Sequence, residues 1–422
     1  MSSTTLTLVF SGFLLAGLLV RLWLASRQIR HVARHRDAVP AAFTATVSLA
    51  AHQRAADYTL AKLRFGLVSL ALGSAVLLGW TLLGGLDALN GWLLAAAQPV
   101  LGDLGYQLAL LAAFAVIGGL IELPMDAWST FRLEQRHGFN RMTPALWLAD
   151  QAKGVAVAVL LGGPIALLIL WLMGAAGPSW WLWAWGAWVG FNLAVLVLYP
   201  TVIAPLFNKF QPLEDGALKA RVEVLMARCG FKAKGLFVMD GSRRSAHANA
   251  YFTGFGAAKR VVFFDTLLSR LSPPEVEAVL AHELGHFKHR HVIKRIVGMF
   301  AISLAGFALL GWLSQQAWFY SGLGVTPNLA APNDALALLL FLLAGPVFSF
   351  FVAPLFAGLS RKQEFEADAY ACKQTSASDL SAALLKLYED NASTLTPDRL
   401  YVRFYYSHPP AGERLAAMGA PV

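Results

Sequence analysis

Two histidines that are four residues apart, His282 and His286, enclose a glutamate, Glu283, in the stretch AHELGHFKHRH. On an α-helix such residues lie on the same face, so both imidazoles can point at one metal ion. In the HExxH pattern the imidazoles bind zinc and the glutamate is the general base. Because so short a motif also arises by chance on an amphipathic helix, it needs support from other residues.

A candidate for the third protein ligand that catalytic zinc requires lies in the stretch SRKQEFEADAYACK. Glu364 and Asp368 are four residues apart and share a helix face. Glu364 is the candidate ligand, and Asp368 could hold a ligand histidine through its second ring nitrogen. The alternative is a solvated acidic face paired with Arg361 and its neighbour, and we interpret Glu366 in that way.

Other histidines lie near these motifs. His289 and His291 lack the helical spacing to His282, and we interpret them as surface residues near a membrane. In RFYYSHPP, either His408 or Arg403 could donate a hydrogen bond to the oxyanion that forms when water attacks a carbonyl. A surface turn made by the two prolines is the alternative interpretation of this stretch.

The helix that carries HELGH has a well-marked start. Ser272 suits the N-cap, Pro273 the first helical position, and Glu275 completes a capping box. Upstream, GLFVMD and KRVVFFD have the length and composition of strands, and NAYFTGFG between them alternates in a strand-like way before a glycine-containing turn. The sequence therefore places the metal motif in a small region that mixes helices with strands.

The rest of the chain is strongly apolar. Of the 422 residues, 57% are hydrophobic and only 14% charged, which is typical of a polytopic membrane protein. Seven apolar runs exceed the ~18 residues that a spanning helix needs; they cover approximately 4–24, 65–86, 105–125, 154–174, 180–206, 293–313 and 334–357. The predicted domains are 1–206 with five membrane helices, 207–292 with HELGH, 293–357 with the last two membrane helices, and 358–422 with the third ligand.

The net charge of +9 is distributed unevenly. The segments 1–3, 87–104, 175–179 and 314–333 contain no Lys or Arg, whereas the alternate loops and their flanks carry all of them. The positive-inside rule then predicts an external N-terminus and a cytoplasmic catalytic segment and C-terminus. The excess charge also attracts anionic membrane lipid. Because no basic domain with interleaved aromatic residues is present, nucleic acid is not an expected partner.

In these features the chain resembles the type I CAAX prenyl protease family, integral-membrane zinc metalloproteases with seven spans. The matching segments, in family order, are TFRLEQRHGFN, APLFNKFQPLEDGALK, SAHANAYFTGFGAAKRVVFFDTLL, AHELGHFKHRH, RKQEFEADAYA and YYSHPP. The resemblance implies a mainly α fold in which seven transmembrane helices enclose a water-filled chamber, with a small gluzincin-like α+β protease domain on the cytoplasmic side. It implies one Zn²⁺ per chain, bound by His282, His286 and Glu364, with Glu283 as catalytic base.

The resemblance also implies where a substrate lies. Asn249 and the strand that follows it, with Ala250 and Tyr251, are expected along a bound peptide or lipid-modified protein. The protein itself is expected to be a multi-pass protein of a bacterial inner membrane. Since the sequence does not show that the host prenylates proteins, general membrane-protein quality control is kept as an alternative function.

Two other classes compete with this interpretation. In a site-2-type intramembrane protease the zinc motif lies within a span, but here Lys288, Arg290, Lys294 and Arg295 follow HELGH and do not belong in mid-bilayer. A seven-span transporter or receptor would carry the motif by accident. Transporters often show repeats and paired broken helices, and the sequence shows neither.

The predicted topology can be tested with reporter fusions after Ala95, Ala220, Val325 and Ala420. Because positively charged loops stay in the cytoplasm, we expect the first and third reporters outside and the second and fourth inside. A reporter after Ala220 that is active outside would place the catalytic segment on the wrong side and contradict the topology.

Overall fold

The computed structural model describes residues 1–253 and 260–419 and is mainly helical. The described helices are α1 (Ser3–Arg34), α2 (Leu49–Trp80), α3 (Gly85–Ala96), α4 (Gln98–Trp128), α5 (Pro144–Val157), α6 (Gly163–Ala175), α7 (Trp180–Leu198), α8 (Ala204–Phe207), α9 (Ala217–Arg228), α10 (Asp265–Leu268), α11 (Pro273–Lys288), α12 (His291–Leu313), α13 (Ala317–Gly322), α14 (Asp334–Ser349), α15 (Ala353–Gln374), α16 (Ala377–Asp390), α17 (Arg399–Tyr405) and α18 (Ala411–Ala417).

In the described part of the chain, seven helical segments are long and apolar enough to cross a membrane, which confirms the predicted number. These spans are Ser3–Arg34, Leu49–Trp80, Gln98–Glu134, Pro144–Ala175, Gly177–Phe207, His291–Leu313 and Asp334–Gln374. Several continue past the apolar runs, and the last of them carries the predicted third ligand. The second ends at Trp80 rather than at 86, because the chain turns there through Gly84, whose φ is +79°.

The spans do not pack into a solid bundle. In the most apolar windows of the first six, only 6–17% of residues are buried. The main apolar cluster instead joins span ends, including Phe10, Tyr106 and Leu336, to α3 and α13. Other apolar clusters lie at the opposite ends of the spans, with the strands and α11. Two packed ends with little packing between them describe helices around a chamber.

Four strands form one sheet in the catalytic region: β1 (Phe210–Pro212), β2 (Gly235–Met239), β3 (Ala250–Thr253) and β4 (Arg260–Phe264). Their order is β1-β2-β4-β3, with β2 and β4 parallel and both edge strands antiparallel to their neighbours. This confirms the predicted strands and places β3 at an edge. The glycine-containing turn predicted after β3 lies outside the described residues.

A single apolar core unites the two catalytic segments. It contains Val222 and Phe263 from the first segment and Ala371 and Leu380 from the second. The predicted capping box at Ser272 is present, since the N–H of Ser272 donates to Glu275 Oε2 at 2.7 Å. The start of α11 is thereby fixed within this core, and α11 packs along α15.

Candidate metal centre

Gly285, the glycine of HELGH, allows α11 and α15 to approach closely. A Cβ atom at this position would lie 2.8 Å from Ala367 Cα and 3.0 Å from its carbonyl oxygen. Both are backbone atoms, so a side chain here would push the helices apart. The small residues at the crossing therefore bring Glu364, one turn before Ala367, next to the two histidines.

The three predicted ligands converge at this crossing. His282 Nε2 lies 3.3 Å from His286 Nε2 and 3.4 Å from Glu364 Oε2, and His286 Nε2 lies 3.3 Å from Glu364 Oε1. Tetrahedral zinc with bonds of about 2.0–2.2 Å separates its ligand atoms by about 3.3–3.5 Å. Glu364 Oε2 is buried and has no hydrogen-bond partner among the described residues. A buried carboxylate oxygen of this kind fits a bound cation.

Asp368 holds one ligand in place. Its Oδ1 accepts from His282 Nδ1 at 2.8 Å, which leaves Nε2 of that ring free for a metal. Arg414, on α18, binds the same carboxylate with two hydrogen bonds, from Nε at 2.8 Å and from Nη2 at 2.6 Å. Burial alone would lower the pKa of Arg414, but its bonds to Asp368 outweigh burial and raise the pKa. The arginine therefore stays charged and fixes the orientation of Asp368.

The second ligand histidine, His286, is also oriented through its Nδ1 atom. His286 Nδ1 lies 3.0 Å from Nδ1 of His291, whose Nε2 lies 2.9 Å from Glu366 Oε2. The side chain of His291 is only 2% exposed. The interpretation of His291 as a surface residue is therefore wrong, because α12 begins with His291 folded back against α11. Glu366 is 36% exposed and lies 4.0 Å from Lys362, as expected for the solvated acidic face.

The remaining predicted catalytic residues occupy different surroundings. Burial raises the pKa of the Glu283 carboxyl, which favours its role as a proton acceptor. His408 Nε2 lies 3.5 Å from Glu364 Oε1, so its ring faces the metal centre, and burial lowers its pKa. Arg403 is exposed on α17, and the described structure shows no contact between it and the ligand residues. The arginine that contacts the ligand residues is Arg414.

The segment that leads into the predicted substrate strand is held by Asn391, which directly follows α16. Asn391 Oδ1 accepts from the backbone N–H of Ala248, and its Nδ2 donates to the Ala248 carbonyl oxygen. Its Oδ1 also lies 3.1 Å from Nδ1 of His247, whose ring stacks on Phe139. These contacts connect the segment before β3 to α16 and to the loop after the third span.

Alternate residues of β3 direct their backbone N–H and C=O groups toward β4 or toward the open edge of the sheet. Phe264 N–H donates to the Asn249 carbonyl oxygen, so Asn249 and then Tyr251 face β4. Ala250 and Phe252 therefore direct their backbone groups to the open edge. The N–H of Ala250 is bonded there to the side chain of the exposed Asn249. Because β3 packs against α11, this edge lies beside the metal helix.

A cavity of about 840 Å³ adjoins the metal centre. His408 and Arg414 line one part of it, residues of α1 and α2, including Arg21 and Lys62, line another, and α16 and α17 complete the wall. Burial raises the pKa of the Tyr388 hydroxyl in its wall to about 12, so this group stays neutral. The cavity connects the predicted oxyanion donor with the first two spans and is wide enough for a peptide.

Sequence reasoning missed Arg414, Asn391 and the His291–Glu366 pair. Arg414 lies 46 positions from Asp368 and carries no motif of its own. Asn391 lies 143 positions from Ala248. Of these residues, only His291 could have been suspected from the sequence, because it lies five residues after a ligand histidine. A helical projection does not show the contact, because the chain breaks between α11 and α12.

A seven-span helical fold with a His₂Glu centre at one end defines a membrane-embedded zinc metallopeptidase. Residues 28–209 match the family model described as CAAX prenyl protease N-terminal, five membrane helices, and residues 212–422 match Peptidase family M48. The chain therefore belongs to peptidase family M48, whose members depend on zinc.

Full-length relatives support this assignment. The CAAX prenyl protease 1 homolog of Arabidopsis thaliana is 34% identical over 424 residues and 96% of each chain. CAAX prenyl protease 1 of Saccharomyces cerevisiae is 32% identical over 97% of this chain and 94% of that protein. The crystal structure of S. mikatae Ste24p superposes with a TM-score of 0.91 at 29% identity, covering 98% of this chain and 99% of that one.

The helix crossing can be tested with Gly285→Ala. Because the added Cβ would meet Ala367 backbone atoms, we expect α15 to shift and Glu364 to leave its place. Zinc affinity should fall by at least about tenfold, as when ligand-orienting groups are lost. Gly298→Ala is a matched control, since nothing lies within 4 Å of a Cβ there. Equal zinc affinity in both variants, measured by competition with a chelating dye, would contradict the role of the crossing.

Proposed function

We propose that this protein cleaves peptide bonds near the C-termini of lipid-anchored proteins of the CAAX type, with His282, His286 and Glu364 as zinc ligands. The observation that carries the proposal is the ligand triangle beside a cavity that the first two membrane spans line in part. A soluble protease cannot easily reach a peptide that a lipid holds in the bilayer. A catalytic helix that leads through one turn into a span places the reaction at the membrane surface.

The chain's own groups divide the remaining chemistry between them. When bound, zinc supplies a Lewis acid that polarises the scissile carbonyl and lowers the pKa of water. The Glu283 carboxylate accepts a proton from the attacking water and passes it to the leaving amine. His408 donates its Nε2–H to the oxyanion. Asp368 and Arg414 keep His282 in the tautomer that leaves Nε2 as the ligand atom.

The substrate lies along β3 in this proposal. Ala250 and Phe252 offer backbone groups at the open edge, and an extended peptide pairs with them as an added strand. The side chain of Asn249 leaves the N–H of Ala250 when the peptide arrives. Because backbone hydrogen bonds supply most of the affinity, the preference for substrate side chains is loose.

The proposed setting is a bacterial inner membrane, with the catalytic domain and C-terminus in the cytoplasm and the N-terminus outside. The distribution of Lys and Arg among the loops supports this orientation. In the proposed domain division, segments 207–292 and 358–422 form the protease around the last two membrane helices. Their shared apolar core supports this division.

The proposed mechanism predicts different losses for two variants. Glu283→Gln should retain zinc and the fold but lose nearly all cleavage, because the amide cannot accept the proton. His408→Ala should retain zinc and lose about 10²- to 10³-fold in turnover, as loss of one oxyanion donor does. Cleavage of a fluorogenic peptide in detergent, with zinc measured on the same samples, tests both. Near-normal cleavage by Glu283→Gln would overturn the mechanism.

The same assay separates the two candidate substrate classes. A peptide ending in a CAAX sequence is compared with and without a farnesyl group on its cysteine. The proposal predicts a higher kcat/KM for the farnesylated peptide. Equal values for the two peptides, together with cleavage of unrelated membrane peptides, would favour general quality control instead.

The strand proposal predicts the effect of proline at the open edge. Ala250→Pro removes an N–H that faces away from β4, so the sheet should persist while KM rises and zinc stays bound. Phe210→Pro is the matched control, because residue 210 has the same outward phase in β1 at the opposite edge, where Pro212 already occurs. An unchanged KM for Ala250→Pro, or an equal rise for Phe210→Pro, would remove β3 from the substrate site.

A further inference from the structure

A second group of metal-ligating side chains lies directly behind His286. His289, His291 and Glu366 each offer one ligand atom, and these atoms lie within 4.8 Å of one another. We propose that this group binds a second zinc ion from solution and that its binding inhibits the enzyme. The inhibition rests on the proposed ligand role of His286, whereas the binding of the second ion does not.

The backbone between α11 and α12 builds this second group. Arg290 has a left-handed conformation with φ +55°, which ends α11 before α12 begins. The turn brings the side chains of His289 and His291 to the same side of the chain. The rings of His289 and His291 consequently stack, with centroids 5.5 Å apart and planes 15° from parallel. Glu366 reaches the same place from α15.

The donor set and its spacing suit a weak zinc site. Two imidazoles and one carboxylate are the ligand types that zinc accepts. Their spread of up to 4.8 Å exceeds the about 3.3–3.5 Å edge of a tetrahedral zinc site, so side chains must move inward on binding. His291 is buried and fixed, while the other two groups are accessible and can move. The second site therefore binds zinc more weakly than the centre formed by the triangle.

The hydrogen bond between His286 and His291 couples the two sites. With His286 Nε2 on the metal, its Nδ1–H donates to His291 Nδ1, and His291 then carries its single proton on Nε2, facing Glu366. A zinc ion on His291 Nε2 displaces that proton. A neutral imidazole keeps one proton, so the proton moves to Nδ1, and two N–H groups then face each other at 3.0 Å. The hydrogen bond that orients His286 is thereby lost.

The test uses purified holoenzyme that contains one zinc ion. Zinc is added in equilibrium dialysis, and bound metal and peptide turnover are measured on the same samples. We expect a second equivalent to bind while kcat falls with little change in KM. His289→Ala should keep basal activity, lose the second equivalent, and raise the inhibitory zinc concentration by at least about tenfold, since a direct ligand is lost.

His35→Ala is the matched control, because His35, just after α1, also pairs closely with a histidine, His31, and both are far from the centre in sequence. It should keep both the second equivalent and the inhibition. If His289→Ala binds the second equivalent or is inhibited at the wild-type zinc concentration, the proposal is wrong. A wild-type protein that binds two equivalents but cleaves nothing would instead contradict the proposed function and leave the second site established.

Discussion

The close approach of α11 and α15 at Gly285 and Ala367 is the constraint on which the metal centre depends. One helix supplies two imidazoles and the other supplies the carboxylate, and neither can form a three-ligand site alone. With ligand atoms 3.3–3.4 Å apart, the geometry tolerates very little separation of the helices. Gly285, the glycine of HELGH, is therefore as necessary as the residues that bind metal.

The crossing also explains why a buried charged network is stable here. Glu364 and Asp368 are two buried carboxylates one turn apart, and unpaired buried charges are costly. Arg414 bonds to one of them and lies 4.0 Å from the other. A bound zinc ion would give Glu364 a positive partner, and Arg414 gives one to Asp368. Replacing Arg414 would leave Asp368 as an uncompensated buried charge.

The membrane spans pack closely only near their ends. The apolar cores lie at the two ends of the spans, and the large cavity lies where α1 and α2 meet the C-terminal segment. In the bilayer, backbone hydrogen bonds within each helix are satisfied without close neighbours, so spans can surround a chamber and remain helical. A hollow interior is needed because the substrate must reach a metal centre that lies at one packed end of the spans.

The sequence predicts features with local physical causes. The seven spans follow from apolar length, the start of α11 from the Ser272–Glu275 capping box, and the ligand histidines from helical spacing. The alternation in NAYFTGFG predicts β3 as a strand, whereas its position at an edge follows from the strand order of the sheet. Arg414 and Asn391 could not be predicted, because their partners are distant in sequence and only the tertiary fold brings them together. His291 was misinterpreted because helical spacing was applied across the break at Arg290.

Zinc K-edge X-ray absorption on the purified protein tests the central claim most directly, since it reports the ligands themselves. The structure predicts one zinc ion in four-coordinate geometry, with nitrogen and oxygen ligands at about 2.0–2.2 Å and the scattering pattern of two imidazoles. Glu364→Ala should change this first shell while the imidazole pattern weakens or disappears with the metal. A sulfur ligand, a six-oxygen shell, or an unchanged spectrum in Glu364→Ala would contradict the proposed centre.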